Sequence, residues 1–434
     1  MGTGGRNGMT AATVDTSRLR SVVDAFPADD LTDMRRDAVE TFATQGFPTA
    51  NQEDWKYTSL GDIAALSNEW LESANIQLTD IATDEQKPEV ALTESVDVEW
   101  IVIRDGVVAT GLPEIDGVEI DPISEDDLKD SPADDAMTAF NTALLRDGIR
   151  IRTRRSAQPE RAIGILYSDN PSNAVVQTRV VVDVAESSTL QLIEVCTSSG
   201  PGRQFTNSIL DARLKQGSKL DHVRLQNRQD EHSGVNRFRS LLAQNAVLHH
   251  NSFDFGGALS RNDVVAEIAG TSANVRLNGL YLSSGRQHID NHTSIIHGVG
   301  PSQSEEEYRG ILGGRSQCVF NGKVFVAEGA DGTDSSQSNH NLLLSERAEI
   351  DTKPELEIYA DDVKCAHGAT VGQLDHSALF YLRSRGFSED QARKILTRAF
   401  AEGTLSSLSI DACREFVATA LDRKLSQLVD ERNE

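Results

Sequence analysis

Glu186-Ser187-Ser188-Thr189-Leu190-Gln191-Leu192-Ile193 sets a small, polar corner directly before a short aliphatic strand. The arrangement recurs. Gly217-Ser218-Lys219 precedes Leu220, Gln244-Asn245-Ala246 precedes Val247, and Thr271-Ser272-Ala273-Asn274 precedes Val275. Gly314-Arg315-Ser316-Gln317-Cys318 precedes Val319, and Glu346-Arg347-Ala348-Glu349 precedes Ile350. These aliphatic positions fall roughly 27 to 31 residues apart, with one gap of about 44, inside the range of known structural repeats. A small corner followed by a short strand at that period predicts a β-solenoid, in which each coil buries its face on the next. A β-sandwich also yields many short strands, so the repeat alone leaves that fold open.

Outward from this region the periodicity becomes helical. Leu31, Met34, Ala38, Phe42 and Ala43 form one stripe behind Asp29 or Asp30 as a cap, and Gly46-Phe47-Pro48 stops it. Met137 to Leu145 reads as a short helix, and Val98–Gly111 as a hairpin turning at Asp105-Gly106. Beyond the strands, Ser388 and Gln391 fit a capping box before Ala392, Ile395, Leu396, Ala399 and Phe400, and Ser409 can cap a last helix. The expected architecture is mainly β with helical ends. It comprises a disordered tail (1–15), an N-terminal helical and mixed domain (16–148), a β-helix core (149–372) and a C-terminal helical domain (373–434). The acidic stretch Ala74–Asp135 matches no motif.

The chain has 434 residues, with 67 acidic against 42 basic ones and a net charge of −25. Nucleic acid or an anionic membrane as main partner would need clustered Lys and Arg, so both are excluded as expectations. No run is long and apolar enough to suggest a membrane-spanning helix. Cys196, Cys318, Cys365 and Cys413 are too far apart for a C-x-x-C site and too few for a disulfide framework, which points to the reducing cytoplasm.

The chemistry concentrates in Asp361-Asp362-Val363-Lys364-Cys365-Ala366-His367-Gly368-Ala369-Thr370-Val371-Gly372. On a strand, Cys365 and His367 share a face, with Cα atoms about 7 Å apart. A thiolate and an imidazole together suit iron, zinc or sulfur chemistry, but two ligands cannot hold a four-coordinate metal. A buried thiol beside a hydrogen-bonded histidine would account for the pair equally well. Gln287-His288-Ile289-Asp290-Asn291-His292-Thr293 and Ser338-Asn339-His340-Asn341 read as ordered polar residues at solenoid corners. Asn321-Gly322-Lys323-Val324 echoes a P-loop, but Gln317 and Val324 stand where glycine and Ser/Thr are required, so the chain carries no Walker nucleotide site. Asp361 and Asp362 are adjacent and so make a poor acid pair for a β-helix carbohydrate-active enzyme.

The run Tyr359–Gly372 resembles the signature of the SufB/SufD family of iron–sulfur cluster assembly proteins, in its SufD form. Glu53-Asp54-Trp55-Lys56-Tyr57-Thr58, Asp290-Asn291-His292-Thr293 and Asn339-His340-Asn341-Leu342-Leu343-Leu344-Ser345 support the resemblance. Gly368 follows His367, where the SufB form has a His-Glu pair; a SufB-like cluster-carrying scaffold is the nearest alternative. The resemblance implies a right-handed parallel β-helix between helical domains, acting as a non-catalytic scaffold subunit. It implies a SufB-like partner and a SufC-like ATPase, the latter docking on the C-terminal helical domain. It also implies that His367, with Cys365, lends transient ligands to a nascent iron–sulfur cluster shared with the partner. Cluster type, flavin involvement and homodimerisation of the isolated chain are left open by the sequence.

Overall fold

The computed structural model describes residues 13–73, 97–129, 133, 135–170, 174–408 and 410–430. Most of the expected tail, residues 74–96 of the acidic stretch, and the expected cap Ser409 lie outside them.

Successive strands alternate between two facing sheets. One sheet runs in order through Val98–Arg104, Ala162–Asp169, Thr189–Ser198, Lys219–Gln226, Val247–Asp254, Asn274–Ser283, Gln303–Leu312, Asp334–Leu343 and Lys364–Gly372. The other runs through Ile149–Thr153, Val175–Val184, Gln204–Leu214, His232–Leu242, Leu259–Ile268, His288–His297, Gln317–Val326 and Glu349–Ile358. Neighbours within each of these series pair in parallel, so the chain is a parallel β-solenoid with two strands per coil. Asp105 and Gly106 turn the expected hairpin with φ of 49° and 79°, and its first strand also pairs with Ala162–Asp169. The sheet therefore begins well before residue 149.

The corners explain the repeat. Ser187, Gly217, Asn245, Ser272 and Gly314 all have φ between 57° and 65°, the left-handed region open to glycine and tolerated by small polar residues. After Ser187, Gly217 and Gly314 a serine then closes the turn on a carbonyl three residues back: Ser188 on Ala185, Ser218 on Lys215 (2.7 Å) and Ser316 on Gly313 (2.8 Å). The 44-residue gap also has a cause. Register-paired positions in the first sheet run Leu220, Leu248, Val275, Ser304, Ser335, Cys365, so the aliphatic series ends at Val275. Val319 and Ile350 continue it in the opposite sheet.

Inside the solenoid Leu190, Leu220, Leu248 and Val275 meet Leu210, Ala266 and Ile295 from the facing sheet. The helices cover the outer faces. Thr16–Asp24, Thr32–Gln45, Gly61–Glu72 and Ala136–Ala143 pack over Val175, Phe205 and Val235 of the second sheet. Glu389–Ser406 and Asp411–Asp430 lie over Ile193, Val223, Phe253, Leu280 and Ile311 of the first. Where these helices cover it the first sheet is buried on both faces, so Lys219–Gln226 and most of Asn274–Ser283 lose the two-residue alternation that Gln303–Leu312 and Asp334–Leu343 keep. The capping box is present: Ser388 accepts from the Gln391 backbone, and the Gln391 side chain accepts from the Ser388 backbone.

The two ends of the solenoid differ. At the first, each sheet finishes in a short antiparallel strand, Val107–Val108 and Val118–Pro122. At the last, Glu349–Ile358 and Lys364–Gly372 are edge strands with nothing stacked on them among the described residues.

Candidate functional site at the open end

Leu356 to Tyr359 and the Cys365 run belong to different sheets, with Asp361 and Asp362 exposed in the turn between them. The strand beyond the turn runs from Lys364 to Gly372. Cys365 pairs with Ser335 and His367 with Gln337, two buried residues facing the interior, so Cys365 and His367 point the same inward way at the uncovered end. Cys365 is half-buried against an apolar patch of Val324, Val326 and Ala330. Burial and the nearby Asp334 carboxylate push its thiol up from the ordinary range, against one backbone hydrogen bond from Ser335. His367 is exposed and makes no hydrogen bond or ion pair among the described residues. Around them Ile358, Tyr359 and Val371 are exposed, the tyrosine by 63%.

No group of three or more His, Cys, Asp or Glu side chains that could hold a metal occurs among the described residues. Cys365 and His367 are a thiol and an imidazole on one face of the strand. A metal or cluster bound there would need further ligands from beyond the described residues.

The other motifs lie elsewhere and serve the fold. Ser338–Asn341 lies in mid-strand, whereas Gln287–Thr293 starts at a corner, where Gln287 bonds Ser284, and runs on through the first six residues of His288–His297. Trp55 is buried beneath the Arg261 guanidinium, 3.8 Å from its ring centre, and Arg261 donates to the Asp54 carbonyl at 2.8 Å. Thr58 contacts His288 at 2.8 Å and donates to Asp290. The Glu53–Thr58 and Asp290–Thr293 motifs therefore form one clasp holding the N-terminal layer to the second sheet. Asn339 and Asn341 point inward to the Tyr281 hydroxyl, whereas His340 lies outside and contacts Thr370. Gly322 and Lys323 are in mid-strand, with Lys323 paired to Glu357 at 2.8 Å, so no phosphate-cradling loop exists there.

Sequence reasoning did not find the polar interior. Tyr167 donates to Glu194 at 2.6 Å, Glu194 meets His222 at 2.9 Å, and His222 meets His250 at 2.9 Å, all buried. Burial drives His250 well below the usual histidine range. Nearer the open end, Gln337 donates to Glu306 at 2.6 Å, and burial pushes Glu306 up to about 7. The available signal was the coil period itself, which sets His222 against His250 and Glu306 against Gln337.

The fold and this end define the class: a parallel β-solenoid whose last coil carries an exposed histidine and a half-buried thiol and has nothing stacked on it among the described residues. The SUF system FeS cluster assembly SufBD core domain matches residues 166–400. The iron–sulfur cluster assembly protein SufD of Escherichia coli (strain K12) is 30% identical over 391 residues, covering 88% of this chain and 90% of that protein. An iron–sulfur cluster assembly SufBD family protein of Synechocystis is 26% identical over 404 residues, 88% of each chain. SufD of Bacillus subtilis is 23% identical over 298 residues, 67% of each. The chain belongs to the SufBD family, and its role lies in iron–sulfur cluster assembly.

Proposed function

We propose that this chain is a non-catalytic scaffold subunit on whose open end a nascent iron–sulfur cluster is built and then passed on, with a SufB-like subunit supplying the missing ligands. The observation that carries this reading is His367: exposed, unpartnered among the described residues, and seated beside a thiol on an edge strand ringed by exposed apolar side chains. An open edge with unpaired backbone groups is a template for a partner's strand. A ligand set divided between two chains suits a cargo that must leave, because separating the chains dismantles the site. We assign the second contact, to a SufC-like ATPase, to the C-terminal helices, where Phe380 is 75% exposed with Tyr381, Phe387 and Ile395 also uncovered. ATP hydrolysis would belong to that partner, in keeping with the mid-strand position of Gly322 and Lys323.

The test is anaerobic co-purification with the SufB-like and SufC-like proteins, followed by iron and sulfide assay. His367→Ala is expected to lower cluster content by about tenfold or more, since even outer-shell losses reach about tenfold. Cys365→Ser is expected to be milder, because the thiol is half-buried and held towards its neutral form. Normal assembly by the His367 variant would remove that residue from the mechanism. Failure to bind either partner would overturn the scaffold reading.

A further inference from the structure

Behind His367 runs a column of in-register side chains: His367 pairs with Gln337, and Gln337 with Glu306. Gln337 and Glu306 are 3% and 1% exposed. The Gln337 amide is already committed on one side, its Nε2 donating to Glu306 Oε2 at 2.6 Å. Its Oε1 is buried and has no hydrogen-bond partner. The facing sheet is shaped to this amide, for a Cβ on Gly322 would come within 2.3 Å of Gln337 Nε2. One strand further along stands His367, also without a partner among the described residues.

Elsewhere in this solenoid, polar side chains on register-paired positions bond to each other across the strand spacing of about 4.8 Å. His249 meets Asp221 at 2.8 Å, Asn262 donates to Asn291 at 2.9 Å, and His340 meets Thr370 at 2.9 Å. His367 and Gln337 stand in the same relation, one with a ring N–H to give and the other with an oxygen that lacks a donor.

We propose that Gln337, anchored by Glu306, is a positioning residue for His367: Gln337 Oε1 accepts one imidazole N–H, fixes the tautomer and leaves the lone pair of the other ring nitrogen facing out of the open end. A histidine ligand is oriented in this way by whatever holds its second nitrogen. The consequence for cluster binding rests on the reading of His367 given above; the hydrogen bond itself does not.

The isolated chain, labelled with ¹⁵N-histidine and observed by two-bond H–N NMR at alkaline pH, tests the contact directly. His367 is identified as the signal lost in His367→Ala. One dominant tautomer is expected in the wild type, and the mixture of an unrestrained imidazole in Gln337→Leu. Gln337→Met, which keeps the side-chain length, serves if the leucine variant does not fold. Exchanging the two groups, Gln337→Glu with Glu306→Gln, keeps a donor–acceptor pair and an outward oxygen, and should restore the single tautomer. Cluster content of the Gln337→Leu complex should fall about tenfold. An unchanged His367 tautomer in the leucine or methionine variant, or no recovery in the exchange, would overturn the proposal. A tautomer shift in Gln337→Leu alongside normal assembly by His367→Ala would instead sink only the ligand reading.

Discussion

Replacing Arg261 with alanine is expected to cost about 3–5 kcal/mol of folding stability, the range found when one partner of a buried ion pair is removed. Arg261 is 2% exposed and bonds Asp290 at 2.6 Å and Asp263 at 2.9 Å. Burial alone would raise the Asp290 carboxyl; Arg261, with His292 and Thr58, holds it down to about 2. Without the guanidinium, Asp290 is left as a buried acid with only His292 and Thr58 beside it. The same change removes the cation over the Trp55 ring and the donor to the Asp54 carbonyl, so the clasp on the N-terminal helices keeps only its Thr58 contacts. Denaturant unfolding should show the loss, and limited proteolysis should cut the 13–73 segment faster. Arg261→Lys keeps the charge but not the two-sided fork, and should fall between the two. A loss below about 1 kcal/mol for the alanine variant would mean that the clasp is not what secures this layer.

The second large effect depends on pH. Burial raises Glu306 from 4.5 to about 7, while an unfolded glutamate keeps the ordinary value. Between those values the folded chain still holds a proton that the unfolded chain has released, so rising pH favours unfolding. The loss begins above about 4.5 and is complete above about 7, amounting to about 3 kcal/mol. Glu306→Gln has no proton to lose. Its stability relative to wild type should therefore improve by roughly 2 to 3 kcal/mol between about pH 5 and about pH 8, measured by urea unfolding. A constant difference across that range would show that Glu306 is ionised in the folded protein throughout.

Much of the fold is legible because a solenoid writes its corners into the sequence. Many of the turns use a left-handed residue: Ser187, Gly217, Asn245 and Ser272 supply it at nearly the coil period before strands of the first sheet, and Gly285 and Gly314 do so before strands of the second. Legibility fails where a side chain's partner is a coil away. Glu306 and Gln337 lie 31 residues apart and look like ordinary surface polarity along their own strands. Thr58 and His288 are separated by 230 residues, so nothing local announces that their two motifs meet. The His367 site is legible as an incomplete pair; its openness is not, since exposure at a last coil depends on what fails to follow it.

The unlike ends also limit what can be built by joining them. Strand addition at a solenoid end needs an uncovered edge on the receiving chain. Here one terminus offers Lys364–Gly372 and Glu349–Ile358, while the other is finished by Val107–Val108 and Val118–Pro122 running the opposite way. Among the described residues, only one end of the solenoid finishes in parallel-paired strands. A head-to-tail contact would propagate into a fibre, but a junction made through the open terminus on both sides uses up the same face on each molecule, so growth through it halts at a pair.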